Sequence, residues 1–245
     1  MTAGPIRVLD LFAGIGGFSL GLERTGYFET AAFCEIEPYC RKILNQHWPG
    51  VPIYEDITTA GFTESVDLVT AGFPCQDISY AGLGAGLSGV RSGLYWNILR
   101  TLCMVGRKAL LLENVAGLLT RGLCTVQGSL AQIGYDTEWH CIPASAVGAP
   151  HRRDRIWIIA YPDTFGIQGG KRQAQEQGYF AFGELPALLR RGKRQWDELP
   201  TPRICRSNDG IPDRAHRLKA LGNSVVPHIP ELLGQAFYSS FKNTE

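Results

Sequence analysis

Ile6-Arg7-Val8-Leu9-Asp10-Leu11-Phe12-Ala13-Gly14-Ile15-Gly16-Gly17 opens the chain with an apolar run, Ile6 to Leu11, closed by a glycine-rich turn. The pattern Phe18 to Thr25 that follows has helical spacing. The order is therefore strand, glycine turn, helix. The same alternation continues outward. Thr30 to Cys34 reads as a strand and Tyr39 to His47 as a helix. Val66 to Ala71 is a strand, Leu94 to Val105 a helix and Ala109 to Leu112 a strand. Gly117 to Ile133 reads as one helix, followed by strands at Thr137 to Ile142 and Ile156 to Tyr161. Strands alternating with helices predict a parallel, doubly wound α/β sheet. Pro230 to Phe241 gives a last amphipathic helix that returns to the core.

The bulk numbers agree with one full core plus a small appendage. The chain has 245 residues, of which 44% are hydrophobic and 19% charged; this is the composition of a globular protein. No apolar run approaches the roughly 18 residues of a membrane span, and Met1 to Pro5 lacks a signal-peptide pattern. The seven cysteines are Cys34, Cys40, Cys75, Cys103, Cys124, Cys141 and Cys205. Their odd number and the lack of a C-x-x-C pair argue against a disulfide framework or zinc cluster and for a reducing cytosol. The five histidines show no metal-ligand spacing. Residues 151–220 carry 14 Lys and Arg against 8 Asp and Glu, whereas the remainder carries 10 against 15. A basic segment on a slightly acidic body fits contact with a polyanion or a solvated basic loop.

Chemistry concentrates at the ends of the strands, where open α/β sheets keep their ligands. The glycines of the first turn let backbone pass close to a ligand and start a helix. Glu35, at the end of the second strand, fits the acidic residue found about 20 positions on that takes ribose hydroxyls. This turn departs from G-x-G-x-x-G and does not by itself separate NAD from S-adenosylmethionine. Asp56 stands after the third strand, as an acceptor for an adenine amino group or as a turn former. Pro74-Cys75-Gln76 follows the strand Val66 to Ala71 and presents a thiol at its edge, either a small core residue or a nucleophile.

Glu113-Asn114-Val115 ends the neighbouring strand, so Glu113 and Cys75 share a cleft. A carboxylic acid beside a thiol suits attack on a ring with protonation elsewhere on it; Glu113 also suits a helix N-terminus. In His151-Arg152-Arg153-Asp154-Arg155, extended alternation places Arg153 and Arg155 on one side, two guanidiniums for a phosphate or a base carbonyl. Gly222-Asn223-Ser224 reads as a turn at a helix start, with backbone donors for a carboxylate. Ser79 to Gly93, with five glycines, reads as a mobile lid beside the thiol.

In this order the stretches resemble the DNA (cytosine-5)-methyltransferase family of bacterial and phage type. The resemblance covers about 1–162 and 208–245. It implies an α/β, Rossmann-like S-adenosylmethionine-dependent methyltransferase sheet with a small target-recognition subdomain. The catalytic domain is then 1–162, a short target-recognition region 163–207, and a C-terminal segment 208–245 returns to the catalytic domain. The implied activity is methyl transfer from S-adenosylmethionine to carbon 5 of cytosine through a covalent Cys75 adduct on a flipped base. Glu113 would bond ring nitrogen 3 and the exocyclic amine, and Arg153 and Arg155 would polarise the base carbonyl and support the Cys75 loop. Phe12, Gly14, Gly16, Glu35, Ile36, Asp56, Ile57, Pro74, Leu94, Asn223 and Ser224 would hold the cofactor, and Gln76, Ser79 and Arg91 would touch DNA.

The implied partner is double-stranded DNA, with a cognate restriction endonuclease acting separately, no membrane, a monomeric state and a cytoplasmic setting in a bacterial host or a phage-infected one. No metal is implied. Three features depart from the family pattern: His151 in place of a frequent Gln, the shortness of the stretch between Tyr161 and Ser207, and the segment Pro202 to Leu221. The same chemistry on transfer RNA, a non-catalytic nucleic-acid module and a nicotinamide dehydrogenase are the competing readings.

Overall fold

A computed structural model describes residues 4–74, 92–162, 189 and 214–242. The described strands are β1 (Ile6–Leu11), β2 (Phe28–Cys34), β3 (Ile53–Tyr54), β4 (Leu68–Ala71), β5 (Ala109–Val115), β6 (Tyr135–Pro143) and β7 (Asp154–Pro162). They form one sheet in the order β3-β2-β1-β4-β5-β7-β6. The helices are α1 (Gly17–Glu23), α2 (Pro38–His47), α3 (Tyr95–Met104), α4 (Leu118–Arg121), α5 (Leu123–Gln132), α6 (Arg214–Asn223) and α7 (His228–Lys242).

Alternation along the strands sends side chains to two cores. Leu9 and Leu11 of β1, Val69 and Ala71 of β4, and Leu110 and Leu112 of β5 pack with Tyr95, Ile98, Leu102, Val126 and Leu130 of α3 and α5. Val8, Leu68, Leu111, Trp157 and Ile159 face the other way, onto Phe18 and Leu22 of α1 and Leu233 and Phe237 of α7. Each fully buried Leu, Ile or Val contributes about 1.5–3 kcal/mol relative to exposure. The near-continuous apolar runs of β1, β4 and β5 are what a sheet covered on both faces requires.

The expectation of a wholly parallel sheet needs one correction. β1 pairs in parallel with β2 and β4, and β4 with β5, but β7 runs antiparallel to both β5 and β6. Only residues 144–153 join β6 to β7, with one 3-10 turn at Ala144–Val147. A parallel return needs a crossover of a dozen or more residues, so the chain turns back beside the strand it has just left.

Two helix expectations also change. The helix read over Gly117 to Ile133 is interrupted at Gly122, leaving α4 and α5; glycine is a poor helix former. Residues 214–223, to which the sequence reading assigns no element, form α6. Residues 163–207, expected to form a target-recognition region, lie outside the described residues apart from Leu189, whose side chain packs against the core on the α1 and α7 face. No helix of the described residues is long and apolar enough to cross a membrane, and no metal-holding group of His, Cys, Asp and Glu occurs among them.

Candidate active site

The carboxyl ends of β1, β2, β4 and β5 open onto one cleft of about 460 Å³. At one end β1 runs into Phe12, which holds a left-handed backbone (φ 54). A bulky residue adopts this conformation only where its surroundings enforce it, and such residues cluster at ligand sites. Gly14 follows at φ 56, and its N–H donates to Glu35 Oε2 at 2.7 Å. The other Glu35 oxygen accepts the Glu37 N–H at 2.8 Å. Glu35 thus ties the first turn to the entry of α2, and each oxygen keeps capacity for a second donor.

Gly16 serves a different purpose. At φ 83 its built Cβ would lie 2.6 Å from two ring carbons of Trp48. The turn is pressed onto that indole, which is itself anchored by Trp48 Nε1 donating to Glu23 at 2.8 Å.

The other end of the cleft is charged. Glu113, at the end of β5, receives Arg155 Nε on Oε1 at 2.8 Å. Arg155 comes from the start of β7, which runs antiparallel beside β5. Burial pushes the Glu113 carboxyl above its ordinary value, while Arg155 and then Arg153 pull against that shift. The result is an acid that holds its proton longer than an exposed one.

Next to it, Asn114 is buried and its Nδ2 donates to the Phe73 carbonyl at 3.1 Å. Its Oδ1 accepts the Val115 N–H at 2.9 Å. Asn114 therefore fixes the end of β4 just before Pro74-Cys75. The sequence alone marks no role for Asn114, because only the sheet order brings it against Phe73.

Phe12, Gly14, Glu35, Ile36, Pro74, Leu94, Glu113, Arg153, Arg155 and Asn223 all line the cleft. Gly16, Asp56, Ile57 and Ser224 do not. Asp56 Oδ1 accepts the Thr58 N–H and hydroxyl, each at 2.8 Å, and these bonds hold its carboxyl below the ordinary value. The Ile57 side chain is buried in the core. Ser224 Oγ donates to the Val225 carbonyl. Cys75, Gln76, Ser79 and Arg91, and nearly all of the loop 79–93, lie outside the described residues.

The reading of Gly222-Asn223-Ser224 is corrected. The stretch does lead into the last helix, which starts at His228, but Gly222 and Asn223 themselves end α6. A helix C-terminus points carbonyls outward, not amides. Here the Gly222 and Ser224 carbonyls accept Arg153 Nη1 and Nη2, both at 2.8 Å. Arg153 itself stands just before β7 at φ 39, so it reaches the cleft from a bend and not by strand alternation.

α6 also closes over the rim. Lys219 Nζ donates to Glu37 Oε2 at 2.8 Å, and His216 stacks on Tyr39 with ring centroids 5.7 Å apart. All four residues line the cleft. Glu37 and Tyr39 come from the start of α2, whereas His216 and Lys219 come from α6, a helix for which the sequence carried no signal.

A buried carboxylate lies under the first turn. Asp10 accepts the Ser19 hydroxyl at 2.9 Å and the Thr70 hydroxyl at 2.8 Å. Burial pushes it up to about 7.

Comparison with known proteins adds an independent line. The family model described as C-5 cytosine-specific DNA methylase matches residues 6–196. The Type II methyltransferase M2.BsuMI of Bacillus subtilis (strain 168) is 36% identical over 166 residues, 63% of this chain and 42% of that protein. The Type II methyltransferase M.CviJI of Paramecium bursaria Chlorella virus IL3A is 36% identical over 247 residues, 97% of this chain and 62% of that protein. The chain spans about half the length of the curated relatives it matches. Among solved structures, the Entamoeba histolytica methyltransferase EhMeth superimposes with a TM-score of 0.67 at 13% identity, over 98% of this chain and 99% of that one. At that identity the likeness concerns the fold.

Proposed function

Because the chain belongs to the family of C-5 cytosine-specific DNA methylases, we propose that it transfers a methyl group from S-adenosylmethionine to carbon 5 of cytosine in DNA. The observation that carries this reading is the half-buried Glu113–Arg155 pair at one end of a cleft whose other end is Phe12 and Glu35. One end suits a base with a ring nitrogen and a carbonyl. The other suits an adenosyl group.

The residues fit the cofactor. Phe12 and the exposed Ile36 offer faces to adenine, and the Glu35 oxygens retain acceptor capacity for ribose hydroxyls. Asn223 stands beside the methionine end. Asp56 and Ile57 neighbour the adenine end in this reading, and Ser224 acts through its backbone. Bound there, S-adenosylmethionine supplies an electrophilic methyl group.

The chain's own residues do the rest. Cytosine carbon 5 is a poor nucleophile until something adds at carbon 6. The Cys75 thiolate adds there, forming a carbon–sulfur bond. Glu113, whose carboxyl burial pushes above its ordinary value, donates a proton to ring nitrogen 3 and accepts from the exocyclic amine, so negative charge does not build up on the ring. Arg155 holds Glu113 and faces the base carbonyl. Carbon 5 then takes the methyl group as the methyl–sulfur bond of the cofactor breaks, leaving the neutral thioether S-adenosylhomocysteine. Carbon 5 next loses its proton to solvent, the thiolate leaves to restore aromaticity, and ring nitrogen 3 returns its proton to Glu113. A base inside a duplex must first be flipped out, at a cost of a few kcal/mol.

Residues 163–207, at the centre of the basic segment, read the target sequence in this scheme, and Gln76, Ser79 and Arg91 contact the strand that surrounds the flipped base. Phosphate contacts make binding salt-sensitive. The enzyme acts as a cytoplasmic monomer on double-stranded DNA, beside a separate endonuclease of the same specificity. The deciding experiment is a methyl-transfer assay on duplex DNA and, in parallel, on transfer RNA. The reading predicts labelled 5-methylcytosine in the duplex alone. Product in transfer RNA alone would replace DNA with RNA as the substrate.

A further inference from the structure

Arg153 and the glycines of α1 grip the same short stretch of backbone from opposite sides. On one side the Arg153 fork takes the Gly222 and Ser224 carbonyls, both at 2.8 Å. These belong to the C-terminus of α6, where unpaired carbonyls carry partial negative charge and suit a guanidinium. On the other side, α1 comes so close that a built Cβ on Gly17 would lie 2.7 Å from the Val225 carbonyl oxygen. One on Gly21 would lie 2.2 Å from the Pro227 oxygen. Residues 222–227, the elbow between α6 and α7, are thus clamped. Asn223 lies between the two gripped carbonyls and lines the cleft.

We propose that Arg153 is a positioning residue for the cofactor end of the cleft, holding the α6–α7 elbow so that Asn223 meets the methionine portion of S-adenosylmethionine. The inference rests on the reading of the cleft as a cofactor site. It separates the roles of two arginines two residues apart. Arg155 serves the acid Glu113, and Arg153 serves the cofactor wall. The strained bend at Arg153 (φ 39) is consistent with a position fixed by this grip.

Arg153→Lys tests the assignment. It keeps a positive charge near Glu113 but cannot hold two carbonyls with one fork. S-adenosylmethionine is titrated calorimetrically into the full chain without DNA. Loss of one charge-assisted bond predicts about tenfold weaker binding in R153K. The KM for cofactor should rise by a similar factor, more than kcat falls, with the pH profile unmoved. Wild-type cofactor affinity in R153K, with the loss confined to kcat or DNA binding, would overturn the inference. Wild-type protein that binds no S-adenosylmethionine would instead refute the cofactor reading, and the inference with it. Should R153K not fold, Gly17→Ala pushes the same elbow from the α1 side and should weaken cofactor binding likewise; undiminished affinity there also overturns the proposal.

Discussion

Arg155 Nε sits 2.8 Å from Glu113 Oε1 because β7 runs antiparallel beside β5 and brings its first residues to the end of that strand. A parallel β7 would have put Arg155 at the far edge of the sheet. The reversal of one strand therefore builds the acid end of the cleft.

Glu113→Gln should leave the fold intact and reduce kcat by about 10²–10⁴, the range for loss of a positioned acid. Burial raises the Glu113 carboxyl, so its donating form persists to higher pH than that of an exposed glutamate. The rate should fall as pH rises through this elevated value. The amide of E113Q does not titrate, so that alkaline limb should vanish from its kcat profile.

Asp10→Asn should change the pH dependence of stability. Asp10 titrates at about 7 when folded, against an ordinary 3.8. A raised carboxyl contributes stability that is fully present below about pH 4 and is lost as pH rises through about 7. Urea midpoints for both proteins at pH 5 and pH 8 give the check. Wild type should lose more on going to pH 8, and a constant difference between the two proteins would contradict the assignment.

Asn114→Ala removes the bond to the Phe73 carbonyl and leaves a buried acceptor unsatisfied, a cost of about 1–3 kcal/mol. It also frees the backbone just before Cys75. Both a lower melting temperature and slower methyl transfer at saturating substrates are expected, measured by calorimetry and initial rates.

Gly21→Ala forces a Cβ toward the Pro227 carbonyl oxygen, 2.2 Å away as built. Backbone there cannot rotate aside like a side chain, so α1 and α7 must part. Overpacking of this kind costs about 1–3 kcal/mol, to be read from denaturant unfolding. An unchanged midpoint would mean that the elbow is not clamped.

Much of the site was legible because its parts are short and local. The run Ile6 to Gly17, Glu35, Pro74 and Glu113 each end a strand, and the strands announce themselves by apolar runs. What was not legible depends on packing order. Nothing in Asp154 to Pro162 states which neighbour that strand takes, and only the shortness of 144–153 hints at its reversal. Arg214 to Asn223 is polar and exposed over most of its length, so it lacks the stripe that marks a core helix. The same lack of a pattern hid Lys219 and His216 from the site. Asp10 reads as one more strand residue until α1 and β4 bring Ser19 and Thr70 to it.

The central claim concerns a bond from the Cys75 sulfur to cytosine carbon 6. Replacing carbon 5 hydrogen by fluorine blocks the final proton loss, so the adduct should persist. The measurement is the mass of the denatured protein after incubation with S-adenosylmethionine and a 5-fluorocytosine duplex containing the target site, identified from methylated DNA of an expressing host. The account predicts a protein–DNA adduct mapped to Cys75 and none with Cys75→Ser. Undiminished methyl transfer by C75S, or turnover of ordinary duplex by wild type with no adduct on the fluorinated one, would contradict it.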